Sequence, residues 1–357
     1  MADYTVLGAG AIGGSLAHHL SVAGHRVTVV DADARHVHAL RSRGITVLRP
    51  DGRRDSVSVA NAFTPQEAER AAAIHQRVLL ATKAQHVGDA ARWLAPHLAE
   101  DGVVVLCQNS DTFGEAAASL GSERPVSAFV NFAADVVEPG VIRFGGEGQL
   151  VIGEYGAPAG DRVASLVRDL DGFGRVSASD NVLGYLWAKR GVGAILAATA
   201  LVDEPVADVI DSARPLMSAL ATEVYRVALA SGVRFETIDG IRPAHLMDEA
   251  DPDERTAAFD RLVAFTGGMA AKPRSGVFRD IAVRHRPTEA RPELLLLAAL
   301  AREVRIPVPL IARLASIIGE LEQGSRRFGR SNLADLAGTP SPDRAAANSS
   351  MTDRNTP

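Results

Sequence analysis

Cysteine, lysine and long apolar runs are all scarce in this sequence. The 357 residues include one cysteine, Cys107, which excludes an intrachain disulfide, and no cysteine or histidine cluster has metal-ligand spacing. The apolar runs are too short to span a bilayer, and the first residues lack a basic segment followed by a long apolar one. We therefore expect a cytoplasmic protein with no metal and no membrane partner.

Neither sign of charge dominates the sequence. Lys and Arg total 38, Asp and Glu total 43, and the formal net charge is −5. No long basic block is present to neutralise a run of phosphates, which argues against nucleic acid as a partner. Only Lys83, Lys189 and Lys272 are lysines, so nearly all the positive charge is carried by arginine. Each lysine is therefore a candidate for a specific role.

Strand and helix patterns alternate through the first half of the chain. The predicted strands cover residues 4–7, 26–30, 77–81, 103–106 and 126–130. Strands that alternate with helices predict an α/β domain with a parallel, doubly wound sheet. Two further runs, 141–144 and 149–154, are joined by a glycine-rich turn and predict an antiparallel pair at the sheet edge.

Helical patterns dominate from Val182 onward. They cover residues 185–202, 213–231, 255–265 and 293–304. We expect a dinucleotide-binding domain over 1–180 and a mainly α-helical C-terminal domain over 181–325, which can also pair two copies as a homodimer. Residues 326–357 are rich in Ser, Arg, Asn, Thr and Pro and are predicted to form a disordered tail.

A glycine-rich turn separates the first predicted strand from the first predicted helix. It fits the pattern G-x-G-x-x-G and reads Gly8-Ala9-Gly10-Ala11-Ile12-Gly13. The first glycine permits a tight turn, the second lets a pyrophosphate approach the backbone, and the third lets helix and strand pack closely. Amides at the helix N-terminus then face the phosphates. This context predicts a Rossmann-type domain that binds a dinucleotide.

Asp31 ends the second predicted strand, about twenty residues beyond the glycines. A carboxylate there accepts hydrogen bonds from both ribose hydroxyls of NAD and repels a 2′-phosphate, which favours NAD(H) over NADP(H). Arg35 could instead meet such a phosphate, so NADP(H) stays open. A flavin is a further alternative, but the helical second half offers no additional flavin domain.

Lys83 and Asn109 follow two other predicted strands, at the carboxyl ends where doubly wound sheets bind ligands. We expect both side chains to face the same crevice. Cys107 has no neighbouring histidine or basic cluster to lower its pKa, so it is interpreted as a small buried residue rather than a nucleophile.

Lys189 lies near the start of a long apolar helix, among small residues. An ammonium group there can stabilise the negative charge that grows on a carbonyl oxygen during hydride transfer, and can deliver the proton. The alternative interpretation is a helix lysine that extends its charge to solvent.

Several short segments occur in a characteristic order over roughly residues 3–320. They are Gly8 to Gly14, Thr82-Lys83-Ala84, Gln108-Asn109, Glu138-Pro139-Gly140, Leu186-Trp187-Ala188-Lys189, Arg274-Ser275, Asp280 and Thr288-Glu289. This ordered set resembles the ketopantoate reductases (2-dehydropantoate 2-reductases). The resemblance implies a Rossmann domain followed by a helical domain, and hydride transfer from a nicotinamide to a 2-keto acid bound between them.

The resemblance also implies roles for individual residues. Lys189 matches the family's catalytic general acid, and Glu289 matches the glutamate of the cofactor and substrate region. Lys83 and Asn109 match residues near the nicotinamide. Ala133 falls where the family's backbone touches the cofactor. An ion pair at a helix start is the alternative interpretation of Glu289.

The substrate region departs from the family pattern. Two asparagines that hold the substrate are replaced by Gly193 and Ala197, a pair of serines is reduced to Ser275 and Gly276, and the aspartate after the Thr-Glu pair is Arg291. Each lost hydrogen bond to a small polar acid costs about 1 kcal/mol or more. The smaller residues predict a wider pocket and a bulkier substrate. Candidates for new substrate contacts are Tyr225, Arg279 and Arg284, and the alternative for each is an ordinary position on a helix face or at the surface.

The leading hypothesis is a ketopantoate-reductase-like, nicotinamide-dependent oxidoreductase that acts on a carbonyl or hydroxy substrate. The substrate is expected to be a 2-keto acid or a bulkier ketone, with Lys189 as the general acid. Two alternatives stay open. One is a dehydrogenase for an amino or imino substrate, and the other is a dinucleotide-binding sensor that has lost catalysis.

Overall fold

The computed structural model describes residues 1–146, 148–268 and 273–338. The chain divides into two compact units, the first Met1–Leu186 and the second beginning at Trp187. Lys272 and the last part of the predicted tail, 339–357, lie outside the described residues.

The described part of the first unit contains a large and a small β-sheet. The strands are β1 (Asp3–Leu7), β2 (Arg26–Val30), β3 (Ile45–Leu48), β4 (Arg54–Val57), β5 (Asn61–Phe63), β6 (His75–Leu80), β7 (Leu98–Leu106), β8 (Pro125–Asn131), β9 (Ala134–Glu138), β10 (Val141–Phe144), β11 (Gln149–Gly153) and β12 (Arg175–Ala178). The large sheet has the order β12-β11-β8-β7-β6-β1-β2-β5, and the small sheet has the order β4-β3-β10-β9. The large sheet is parallel except where β11 pairs with β8.

Helices cover both faces of the large sheet. They are α1 (Ala11–Val22), α2 (Ala34–Arg43), α3 (Pro65–Arg70), α4 (Val87–Leu94), α5 (Phe113–Leu120) and α6 (Asp161–Asp169). Within β6, Leu79 packs in the cluster that contains side chains of α1 and α6, whereas Val78 and Leu80 pack in the cluster formed with α3, α4 and α5. Alternate residues of a strand point to opposite faces, so this β6 segment is buried on both sides. The predicted doubly wound α/β architecture is confirmed.

The predicted antiparallel pair of 141–144 with 149–154 is wrong. The two segments belong to different sheets, because β10 pairs with β3 and β9, whereas β11 pairs with β8 and β12. The antiparallel strand at this side of the large sheet is real, but its partner is β8 rather than β10. An apolar run shows which face of a strand is buried and does not identify the neighbouring strand.

The second unit is helical in its described residues. Its helices are α7 (Val182–Thr199), which begins in the first unit, α8 (Val206–Ser212), α9 (Arg214–Ala230), α10 (Pro252–Gly267), α11 (Gly276–Ala282), α12 (Ala290–Glu303), α13 (Pro309–Glu322) and α14 (Ser331–Ala337). Three of them, α7, α9 and α13, contribute fully buried side chains to one apolar cluster, for example Ile195, Val224 and Ile318.

The prediction of disorder from residue 326 is wrong for 326–338. Helix α14 buries Leu336 completely, and the buried Asn332 amide donates to the carbonyl of Leu201 at 3.0 Å. The amide of Gly329 donates to the same carbonyl, also at 3.0 Å. The prediction rested on the overall polar composition of 326–357. It overlooked Leu333 and Leu336, which are three residues apart and therefore share one helix face.

No helix in the described ranges is both long and apolar enough to cross a membrane.

Candidate functional site

Backbone contacts between β1, α1 and the segment after β6 shape the glycine turn. Gly8 has a φ of +90°, and a Cβ there would lie 2.8 Å from the Thr82 amide nitrogen. A Cβ on Gly13 would lie 2.0 Å from the Gly8 carbonyl oxygen. Any side chain at these two positions would therefore force the strand, the turn and the helix apart.

Gly10 differs from its two neighbours in the motif. A Cβ at Gly10 would meet nothing within 4 Å, so the missing side chain leaves open space beside the backbone rather than relieving an internal contact. Gly10 is also the N-cap of the twelve-residue helix α1, and no side chain caps that end. Half-buried Ala11 and Ile12 follow it. This open, amide-lined cradle fits the pyrophosphate of a dinucleotide.

Asp31 lies beside this turn, as its position after β2 predicts. Its Oδ2 accepts from the Ala9 amide at 2.8 Å, and its Oδ1 accepts from the Asp33 amide at 2.9 Å. Arg35 extends away, with 87% of its side chain exposed and its Nε 3.8 Å from Asp33. The carboxylate thus holds the turn in place and keeps lone pairs for further donors.

Lys83, Asn109 and Ala133 follow β6, β7 and β8, which are consecutive neighbours in the large sheet, and all three are exposed. Chain order along the sheet reverses between β1 and β6, the point where such sheets bind ligands. The carbonyl of Ala133 accepts from the Gly145 amide at 2.7 Å. The three predicted residues therefore belong to neighbouring strand ends on the glycine-turn side of the sheet.

Gln108 is a site residue whose role the sequence does not reveal. Its buried Nε2 donates to the carbonyls of Leu80 at 2.8 Å and Thr82 at 3.0 Å, and its Oε1 accepts from the Thr112 hydroxyl. Gln108 thereby fixes the chain that leads to Lys83. Its signal in the sequence is the segment Gln108-Asn109 that contributes to the family resemblance.

Lys189 lies in α7, directly after the buried residues Trp187 and Ala188. Removal from water disfavours the charged ammonium and lowers its pKa to about 8, against an opposing effect of the carboxylates of Glu293 and Asp239. A lysine with this pKa is mostly protonated at neutral pH, yet it releases its proton far more readily than an exposed lysine. The environment therefore suits a general acid.

The two acids near Lys189 come from different parts of the helical unit. Glu293 is in the first turn of α12, four residues after Glu289. Asp239 has a φ of +49° and occupies a tight turn closed by two backbone hydrogen bonds between Ile238 and Ile241. The Asp-Gly pair at 239–240 is the sequence signal for such a turn.

The Tyr225 side chain is buried against helix α7. Its side chain is fully buried, its hydroxyl donates to the Ala188 carbonyl at 3.0 Å, and burial raises its pKa. A Cβ on Gly191 would lie 2.2 Å from the Tyr225 ring, so the glycine admits the tyrosine against α7. The suggestion that Tyr225 is a substrate contact is wrong, because the enclosed ring supports the backbone beside Lys189.

The two small residues that replace the family's asparagines differ in their surroundings. Gly193 is exposed, and a Cβ there would meet nothing within 4 Å. Ala197 is 3% exposed and packs in the apolar cluster of the helical unit. Of these two positions, Gly193 borders open space and Ala197 does not, so the assignment of Ala197 to the substrate pocket lacks support from its packing.

Ser275 and Glu289 lie at the starts of two helices. The Ser275 hydroxyl accepts from the Phe278 amide at 3.2 Å and caps α11. Before α12, Thr288 donates its amide and hydroxyl to Glu322, each at 2.8 Å, and its hydroxyl oxygen accepts from the Arg291 amide at 3.5 Å. Glu289 makes no capping hydrogen bond, although its Oε1 is buried.

The arginines near Glu289 pair with another residue. Arg284 and Arg286 both donate to Asp280, at 2.8 Å and 3.0 Å. Arg284 is held at the surface by Asp280, whereas the Nε of Arg279 is buried.

Cys107 is buried, and desolvation raises its pKa to about 12, which agrees with its interpretation as an inert core residue. Among the described residues, no group of histidine, cysteine, aspartate and glutamate could hold a metal ion.

The glycine cradle, the acid after β2 and the helical unit that carries Lys189 define a dinucleotide-binding oxidoreductase. Two family profiles match the sequence: "Ketopantoate reductase PanE/ApbA" over residues 4–157 and "Ketopantoate reductase PanE/ApbA C terminal" over residues 181–322. The chain belongs to the ketopantoate reductase family. It is accordingly a nicotinamide-dependent oxidoreductase that acts on a small molecule with a keto or hydroxy group.

Individual relatives agree with this assignment. The 2-dehydropantoate 2-reductase of Pyrococcus horikoshii is 26% identical over 236 residues, which cover 65% of this chain and 75% of that protein. A ketopantoate reductase structure from Ralstonia eutropha has a TM-score of 0.72 at 23% identity, over 91% of this chain and 100% of that one. A D-mandelate dehydrogenase with NADH and anilino(oxo)acetate has a TM-score of 0.72 at 16% identity, over 90% and 99%. At these identities the two structural matches show the shared fold.

Separate substitutions of Gly10 and Gly13 should distinguish a position that faces a bound cofactor from a position that packs against the backbone. Gly10→Ala should weaken NADH binding by roughly tenfold or more with little change in melting temperature, because its Cβ would enter open space. Gly13→Ala should lower the melting temperature, because its Cβ would collide with the Gly8 carbonyl. Fluorescence titration and thermal unfolding measure the two effects. Unchanged NADH affinity in Gly10→Ala would contradict the assignment of the cradle.

Proposed function

We propose that the protein reduces a 2-keto acid bulkier than ketopantoate to the corresponding 2-hydroxy acid, with NADH as the electron donor. The observation that carries the carbonyl reduction in this proposal is Lys189, an ammonium on an apolar helix with a pKa of about 8. When bound, the reduced nicotinamide supplies a hydride to the carbonyl carbon of the substrate.

Lys189 acts on the carbonyl oxygen. As the new C–H bond forms, the C=O double bond becomes a single bond and negative charge grows on the oxygen. The ammonium stabilises this charge and transfers one proton, so that an O–H bond forms and an N–H bond of Lys189 breaks. The neutral amine then regains a proton from water. In the oxidative direction the same amine is the base.

Residues at neighbouring strand ends hold the cofactor. Gly10 and the first amides of α1 would receive the pyrophosphate, and Lys83, Asn109 and Ala133 would lie toward the nicotinamide. Glu289 and Asn109 would orient cofactor and substrate. Ser275 already accepts the Phe278 amide, and its hydroxyl proton would be donated to the substrate.

The preference for NADH over NADPH depends on Asp31. Its two oxygens each accept one backbone amide, and both keep capacity for the ribose hydroxyls. A 2′-phosphate at the same place would face a carboxylate across a short distance. The D-mandelate dehydrogenase of similar fold was solved with NADH, which supports the same choice.

The substrate class follows from the lost polar groups. Gly193 leaves open space where the family's asparagine would hold the small polar substrate. The similar D-mandelate dehydrogenase structure contains anilino(oxo)acetate, a 2-oxo acid with an aromatic substituent. A larger, less polar group beside the keto acid would fill such a space and would not need the lost hydrogen bonds.

A substrate panel tests the proposed function directly. Purified protein is assayed with NADH and NADPH against ketopantoate, 2-keto acids with aryl or branched substituents, simple ketones and imines. We expect NADH oxidation with a bulky 2-keto acid and much slower turnover of ketopantoate. Efficient NADPH-dependent reduction of ketopantoate, activity confined to imines, or no turnover of any carbonyl would each overturn the proposal.

Replacement of Lys189 should remove catalysis and leave cofactor binding in place. Lys189→Met should lower kcat by about 10²- to 10⁴-fold, the usual contribution of a general acid, while the NADH dissociation constant stays near the native value. Lys189→Arg is the matched control for charge, because a guanidinium keeps the positive charge but does not give up a proton. Equal losses of kcat and NADH affinity in Lys189→Met, or native kcat in Lys189→Arg, would contradict the role.

The pH profile should report the environment of Lys189. Reduction requires the ammonium, so its rate should be constant below pH about 8 and fall above it, whereas oxidation should rise through the same range. Because the Glu293 carboxylate raises the pKa of Lys189, Glu293→Gln should move both transitions to lower pH. Glu303→Gln, at the exposed end of the same helix, is the control and should leave the profile unchanged. A native profile in Glu293→Gln would exclude this electrostatic coupling.

A further inference from the structure

The peptide groups around Ala9 are held by two side chains from different elements. Its amide donates to Asp31 at 2.8 Å, and its carbonyl lies 2.9 Å from the Nε2 atom of His36 in α2. Ala9 is completely buried and His36 is 6% exposed. Ala9 immediately precedes the open cradle at Gly10, so both side chains act on the backbone that leads into it.

The partners of His36 determine its tautomer. The amide of Gly140 donates to Nδ1 at 3.2 Å, so Nδ1 accepts and carries no proton. The Ala9 carbonyl can only accept, so Nε2 carries the proton and donates. In this geometry Nε2 is the donor and Nδ1 is the acceptor, so both ring nitrogens of His36 are used.

His36 connects the glycine turn to the small sheet. Gly140, with a φ of +81°, follows the end of β9 and precedes β10, and its carbonyl accepts from the Thr46 amide at 2.9 Å. The small sheet also packs on α1, where a Cβ on Gly14 would lie 2.2 Å from the Cδ1 atom of Ile142. The imidazole thus links the cradle to a sheet whose strands take no part in the large sheet.

We propose that His36 is a positioning residue for the dinucleotide, acting through the Ala9 carbonyl. This inference rests on the proposed binding of NADH at the Gly10 cradle. Without the Nε2 donor, the buried Ala9 carbonyl loses its partner and the peptide can rotate, which misaligns the amides that receive the pyrophosphate. The loss affects cofactor binding and leaves the proton transfer at Lys189 intact.

Two conservative variants separate the two contacts of the imidazole. In His36→Gln, the amide nitrogen can replace Nε2 and donate to Ala9. In His36→Asn, the shorter amide can replace Nδ1 and accept from Gly140, but it does not reach Ala9. His38→Asn, on the exposed face of the same helix, is the matched control.

The NADH dissociation constant from calorimetry should rise by about tenfold or more in His36→Asn and His36→Ala, the effect of one buried hydrogen bond. His36→Gln and His38→Asn should stay close to the native value. At saturating NADH, kcat should be native in every folded variant. Equal affinities in His36→Asn and His36→Gln, or a loss of kcat at saturation, would overturn the proposal.

Hydrogen exchange without cofactor provides a second readout. Amides in residues 9–14 should exchange faster in His36→Asn than in native protein, and at the native rate in His36→Gln. If native protein fails to bind NADH, the proposed function is wrong, while the exchange rates still report whether His36 holds the turn. Native exchange in His36→Asn would show that the imidazole does not position this backbone.

Discussion

The direct approach of backbone to backbone at Gly8 and Gly13 is the constraint on which the first unit depends. Strand β1, the segment after β6 and helix α1 meet there, and the atom nearest to a Cβ at either glycine belongs to the backbone. A collision of 2.0 Å cannot be relieved by rotating a side chain, because the atom in the way is a carbonyl oxygen. Gly10, in the same short turn, faces open space instead, so tightly packed positions and the proposed pyrophosphate position alternate within a few residues.

In the helical unit, two opposing effects set the pKa of Lys189. Burial of Lys189 makes its charge costly, and Glu293 and Asp239 restore part of the stabilisation that water would give. Since the two effects oppose each other, the pKa settles at a value useful for proton transfer near neutral pH. Tyr225 adds rigidity by filling the space beside Gly191 and bonding to the backbone next to the lysine.

Local patterns predicted six of the eight strands of the large sheet and the glycine turn, because strand alternation and glycine spacing are short-range signals, but they missed the short edge strands β5 and β12. The positions of Asp31 and Lys189, after β2 and within α7, also follow from local patterns, whereas the roles of the two residues stay predictions. Contacts between distant segments were not predictable in this way. His36 meets Gly140 across 104 positions of sequence, and β10 pairs with β3 rather than with the apolar run that follows it. Glu293 was only weakly predictable as a neighbour of Lys189, because its sequence signal is a position one helical turn beyond Glu289.

The way α14 closes the helical unit has a consequence for synthesis on the ribosome. The Leu201 carbonyl, just beyond α7, receives its two hydrogen bonds from Gly329 and Asn332, which are translated more than a hundred residues later. The strands of the large sheet are all complete by residue 178, so the nucleotide domain can form while the chain is still growing. The stretch just after α7 must wait for the last helix, so this part of the helical unit is completed only after all strands of the large sheet have been made.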